Sequence, residues 1–147
     1  MRVATLTALA LTAFLVAGCG AVAHFNADST DPGVGKTLFQ QKCGACHTLA
    51  DAKTSGIIGP NLDDAFGPDK TQGFKVSTLI DVVRGQIAYP DANPGQISSP
   101  DSTTPTQGMT PNLLHGQQAR DVAAYVGECS ANPKCGVSAK PVGTTPG

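Results

Sequence analysis

Cys43-Gly44-Ala45-Cys46-His47 concentrates the most reactive side chains of this 147-residue chain into five consecutive positions. Two thiols at i and i+3, with an imidazole directly after the second, form C-x-x-C-H, the pattern through which haem c is attached. The chemistry explains each residue. The two thiols add to the two vinyl groups of the porphyrin, and the adjacent imidazole ligates its iron. Two other chemistries use part of the pattern. Cys-Gly-Ala-Cys resembles a redox dithiol, but such pairs follow a strand in a βαβ unit, and here a helical apolar stripe precedes it. Zinc could recruit Cys129 and Cys135 together with Cys43 and Cys46. That arrangement leaves His47 without a role and sets four thiolates against disulfide formation. Covalent haem accounts for all three residues.

Iron held by His47 needs a sixth ligand or an open face. Apart from the initiator, Met109 is the sole methionine, in Gln-Gly-Met-Thr-Pro-Asn, a segment able to turn its side chain inward. His115 is the rival, but it falls near a helix start; His24 lies in the tether that precedes the first helix. A His/Met pair is an established haem arrangement. The alternative is an open axial site, which would suit a peroxidase or a sensor of diatomic gases.

Five cysteines leave one unpaired by any even division, and the N-terminus accounts for it. Met1-Arg2 is followed by an apolar run from Val3 to Val16, too short to span a bilayer and patterned as an export signal. Val16-Ala17-Gly18-Cys19 looks like the lipobox of bacterial lipoproteins, which would make Cys19 the lipidated first residue. Ala21-Val22-Ala23 offers the competing reading, cleavage by ordinary signal peptidase before His24. The lipobox abuts the apolar run and gives Cys19 a purpose. The expected location is therefore the bacterial cell envelope, periplasmic or on an extracytoplasmic face, with lipid on Cys19 as membrane anchor. Such a compartment is oxidising. Cys129 and Cys135 would then close the Ser-Ala-Asn-Pro-Lys loop as a disulfide.

The elements that must position these residues read as all-α with much loop. Residues 1–18 are the export signal and 19–31 a small, polar tether. Asp31-Pro32 starts a helix, with Val34, Leu38 and Phe39 as its apolar stripe, running to about Cys43. Breakers at Gly56, Gly59-Pro60 and Gly67-Pro68 suggest a continuous loop. Ser77 caps a short helix bearing Leu79, Ile80, Val82 and Val83, with a stop at Gly85. Pro90 to Gly108 is a long loop. Ala119, Val122, Ala123 and Val126 place a final helix over about Gly116–Gly127. No strand is expected. The domain spans 32–130, and 131–147 is a loose tail.

From about Asp31 to Gly127 these residues resemble the class I cytochromes c, small monohaem electron carriers. Gly35-Lys36-Thr37-Leu38-Phe39 precedes the cysteine motif. Gly59-Pro60-Asn61-Leu62, Gly108-Met109-Thr110-Pro111 and Asp121-Val122-Ala123-Ala124-Tyr125-Val126 follow it in order. The resemblance implies a cytochrome c fold, three to four short helices with long loops around one covalent haem. It implies that the first and last helices cross where Gly35 and Phe39 meet Val122 and Tyr125. It also implies that the Pro60 carbonyl accepts the Nδ1 proton of His47, making the ligand more basic.

The function expected is electron transport by Fe(III)/Fe(II) cycling with His47 and Met109 both bound. Such a carrier is not an enzyme and needs transient redox protein partners, with no small-molecule substrate. Lys36, Lys42, Lys53 and Lys75 are candidates for a docking face. Charged residues make up only 14% of the chain and the formal net charge is −1, which gives nucleic acid no basic field to bind. Pro32-Gly33-Val34-Gly35-Lys36-Thr37 imitates the end of a phosphate-binding loop, but it lacks the first glycine and the preceding strand.

Overall fold

The computed structural model describes residues 29–90 and 108–143. The export segment, Cys19 and most of the Pro90–Gly108 loop lie outside them. Among the described residues, four α-helices and one very short hairpin make up the fold, in agreement with an all-α expectation.

Helix α1 (Pro32–Lys42) begins where the sequence dictates. Asp31 accepts hydrogen bonds from the amides of Gly33 and Val34, Pro32 occupies the first turn, and Lys42 sits at the negative end of the helix dipole. The last helix, here α4 (Gly116–Cys129), buries Asp121 through Gly127 and Cys129 against α1 and α3 (Val76–Ala88). At the α1–α4 crossing a Cβ on Gly35 would stand 2.1 Å from the Asp121 carbonyl oxygen and 2.9 Å from Cβ of Tyr125. Only glycine admits that approach. Beside it the rings of Phe39 and Tyr125 meet edge to face at 6.0 Å. A second glycine serves the α3–α4 contact, where a Cβ on Gly127 would meet Cγ1 of Ile80 at 2.6 Å.

Several local expectations are corrected. Gly67-Pro68 is not loop but part of α2 (Leu62–Thr71). Asn61 caps that helix, Asp63 and Asp64 fill its first turn and Lys70 its last, which outweighs the one backbone bond Pro68 cannot make. Lys70 then reaches across to the carbonyls of Glu128 and Ser130, tying α2 to the end of α4. Helix α3 begins at Val76 and runs through Gly85 to Ala88. Ile87 extends the buried stripe of Leu79, Ile80 and Val83, and its burial offsets the roughly 1 kcal/mol that a helical glycine costs. Strands β1 (Thr48–Leu49) and β2 (Thr54–Ser55) form an antiparallel pair where no strand was expected. Two residues each are too few for an alternating pattern to register.

The segment after α4 is not loose over its described length. Residues 137–143 run along α1 as an irregular strap. The Lys140 amide donates to Gly33, the Thr37 hydroxyl donates to the Lys140 carbonyl at 2.7 Å, and Lys140 Nζ pairs with Asp31 at 2.9 Å. Val137 and Val142 pack against the core. Pro- and Gly-rich composition excludes a helix but not fixed contacts made by an irregular chain. The end of the expected tether is likewise held: Gln117 donates to the Ser29 carbonyl, and the Asp31 amide to Asp121. Among the described residues no helix is long and apolar enough to cross a membrane.

Replacing Gly35 with Ala forces α1 away from α4. Urea unfolding should show a loss of about 1–3 kcal/mol, the range for overpacking a tight contact. Gly85→Ala, with open space around it, should be neutral or slightly stabilising.

Candidate functional site

Helix α1 delivers the cysteine motif. The Cys43 amide still bonds the Phe39 carbonyl, and the next residues turn tightly, with the Cys46 and His47 amides both donating to the Cys43 carbonyl at 3.0 and 2.9 Å. Cys43 is buried and Cys46 half-buried, and neither is in a disulfide. Burial, reinforced by the neighbouring Cys46, pushes the Cys43 thiol up to about 11. Glycines let the following hairpin close on this turn. A Cβ on Gly44 would strike Cγ2 of Thr54 at 2.5 Å, and one on Gly56 would lie 2.4 Å from the Cys46 carbonyl carbon.

His47 is held by the far end of the same loop. Its Nδ1 donates to the Pro60 carbonyl at 3.0 Å, which leaves Nε2 as the ring nitrogen able to bind a metal. The Gly59 amide bonds the Cys46 carbonyl at 2.8 Å. A Cβ on Gly59 would lie 2.4 Å from Cε1 of the His47 ring, so any side chain there would displace the imidazole. Ile57 and Ile58 next to it are exposed, Ile57 to 92%, presenting apolar surface beside the motif.

Cys43, Cys46, His47 and Pro60 thus share one closed loop. Met109 enters on a different segment: it is half-buried against the core, and that segment is tied to α3 by the Asn112 amide, which donates to the Ile87 carbonyl at 2.8 Å. His115 is exposed at the start of α4 and makes no side-chain capping bond. Cys129 and Cys135 are joined in a disulfide, with Cα atoms 5.1 Å apart. This pairing removes two of the four sulfurs that a zinc site with Cys43 and Cys46 would need. It also disqualifies the group of Asp51, Cys129 and Cys135, whose ligand atoms lie within 4.8 Å of one another, as a metal site in this oxidised state.

Sequence reasoning missed the polar centre behind the loop. Asp51 accepts from the Tyr125 hydroxyl at 2.7 Å and from Lys36 Nζ at 2.9 Å. Lys36 also donates to the Val137 carbonyl and lies over the Tyr125 ring. It is therefore an internal ion pair and not part of a docking face. No local spacing joins residues 36, 51 and 125; the signal was the oddity of a tyrosine in an otherwise apolar helical stripe. Asp63 is a second tie, accepting from the amides of Ala50 and Ala131.

The donor set fits covalent haem. Two free thiols three positions apart, an imidazole fixed through one nitrogen with the other left for iron, and apolar side chains bare beside them are what that group requires. The profile of the cytochrome c family matches residues 34–130. Among curated proteins, the cytochrome c of Ulva intestinalis is 29% identical over 79 residues, covering 44% of this chain and 70% of that protein. No solved structure matches significantly. The chain belongs to the cytochrome c family. It is a haem c protein of the electron-transfer type, with iron as its metal.

Asp51 gives the fold a pH dependence. Burial pushes its pKa up, but the hydrogen bonds from Tyr125 and Lys36 and the Lys36 charge more than reverse this, leaving it below its ordinary 3.8. A depressed folded value means the stabilisation is complete above the unfolded pKa and is lost as pH falls through the folded one. Asp31, lowered chiefly by its bond from Lys140, acts in the same window. Denaturant midpoints should fall steeply below pH about 4, and Asp51→Asn should flatten that slope.

Proposed function

We propose that this chain is an exported, lipid-anchored, single-haem electron carrier of the class I type, with His47 and Met109 as the axial ligands. The observation that carries the proposal is the His47–Pro60 hydrogen bond, closed over two free thiols. When bound, the haem supplies one-electron chemistry, its iron cycling between Fe(III) and Fe(II). The chain's own residues do the rest. Cys43 and Cys46 would hold the macrocycle through thioether bonds. The Pro60 carbonyl orients the His47 ring, selects Nε2 as the ligand and makes it more basic. Met109 offers a soft thioether from a half-buried position, which favours the reduced state and raises the potential. With His47 and Met109 both ligating the iron, no substrate would reach the metal, so the reading is a carrier and not an enzyme.

Cys19 supplies the anchor in this proposal, and the residues up to the first described contacts serve as a tether that lets the domain reach its partners. Those partners are redox proteins that dock transiently through small interfaces. Lys42, Lys53 and Lys75 remain available for them, all three being exposed.

An absorption spectrum of the oxidised holoprotein tests the ligand set. The wild type should be low-spin with a methionine-to-iron charge-transfer band, and Met109→Ala should lose that band and lower the potential. A high-spin wild type without the band would point instead to an open axial site. Cys19→Ala should move most of the protein from the membrane to the soluble fraction; unchanged fractionation would exclude Cys19 as the anchor.

A further inference from the structure

We propose that Asp51 is a positioning residue for His47, acting through the hairpin that returns Pro60 to the imidazole. This rests on reading His47 as the iron ligand. The loop in question begins at His47 and ends at Pro60, and both ends are bonded: Gly59 to Cys46 and His47 to Pro60. Between them stand β1 and β2, two residues apiece, with the Thr48 hydroxyl donating to Gly56 and the Leu49 amide to the Thr54 hydroxyl. So small a hairpin does not hold its own shape in water. Its geometry must come from whatever grips its tip.

The tip is gripped at three consecutive residues. The Ala50 amide donates to Asp63 of α2 at 2.7 Å, and the Ala52 carbonyl accepts from Gln40 of α1 at 3.0 Å. Asp51 lies between them and takes the heaviest share. One of its oxygens receives the Tyr125 hydroxyl of α4 and the ammonium of Lys36 of α1. The Lys36 and Asp51 side chains are 14% and 13% exposed, and Tyr125 is fully buried, so little water competes. Burying an ion pair is costly, and an apolar residue would anchor a loop more cheaply. What the carboxylate adds is direction: donors from α1 and α4 converge on one oxygen and set the register of the hairpin. That register decides where Gly59 and Pro60 meet the His47 ring.

The test uses the exported holoprotein with wild type, Asp51→Asn and Tyr125→Phe. The readouts are solvent exchange of the His47 Nδ1 proton by NMR, the reduction potential, and denaturant stability. Asp51→Asn should exchange that proton about tenfold faster, and Tyr125→Phe, which removes one donor without changing charge, about fivefold faster. A weaker bond to Pro60 makes the imidazole a poorer donor to Fe(III), so the potential should rise in both variants. Loss of stability with unchanged proton exchange would make Asp51 merely structural and overturn the proposal. A potential that rises in Asp51→Asn alone, with exchange unmoved, reports only the lost charge and overturns it equally. If Asp51→Asn yields no holoprotein, Tyr125→Phe decides by the same two readouts. Failure of the underlying reading shows separately, as a wild-type spectrum without an iron-bound His47 imidazole.

Discussion

The contact between Gly35 and the Asp121 carbonyl is the constraint from which the rest of the structure follows. Two helices from opposite ends of the domain can cross this closely only where one of them has no side chain. Once they do, Phe39 and Tyr125 are brought edge to face, and the Tyr125 hydroxyl emerges beside Lys36 and Asp51. The crossing thus positions a polar centre as well as an apolar one. Through Asp51 it reaches the hairpin, and through the hairpin the loop that carries His47. The last turn of α1 leads directly into Cys43, so the same helix sets both the thiols and, less directly, the imidazole.

A small core explains why so many of these contacts are polar. The chain has no tryptophan and only seven phenylalanines and tyrosines. Its core is built largely of leucine, isoleucine, valine and alanine. Covalent haem contributes a large apolar group that the side chains do not supply, and the exposed isoleucines beside the motif are consistent with that division. Elsewhere, backbone groups are tied by side chains reaching from one element to another, as Lys70 does at the end of α4 and Asp63 does between the hairpin and Ala131. The disulfide joins this pattern by fixing the turn from which the strap departs.

What was legible in the sequence was local. The Asp31-Pro32 start of α1, the stripe of α4 and the five-residue motif each announce themselves within a few positions. Gly67-Pro68 and Gly85 misled because breaker residues carry a local cost that neighbouring caps and buried side chains can outweigh. The hairpin was invisible because two-residue strands have no periodicity. The strap was invisible because its order comes from α1, more than a hundred positions away, and not from its own composition. Lys36 was assigned to a docking face for the same reason: its partners Asp51 and Val137 come from other parts of the chain. The site's chemistry was therefore readable, while the scaffold that aims it was not.

The clamp at the start of α1 has a mechanical consequence. Chain arriving at residue 29 meets Gln117 at once, then Asp31, which is held by Asp121 through its amide and by Lys140 through its carboxylate. Any pull on that incoming chain is delivered to these bonds first. It is then carried along α1, about 16 Å of helix pressed against α4, before it can reach Cys43. The bonds that load first are far in sequence from His47 and Pro60. A domain pulled from that side would yield at the fastening and keep its electronic centre undistorted.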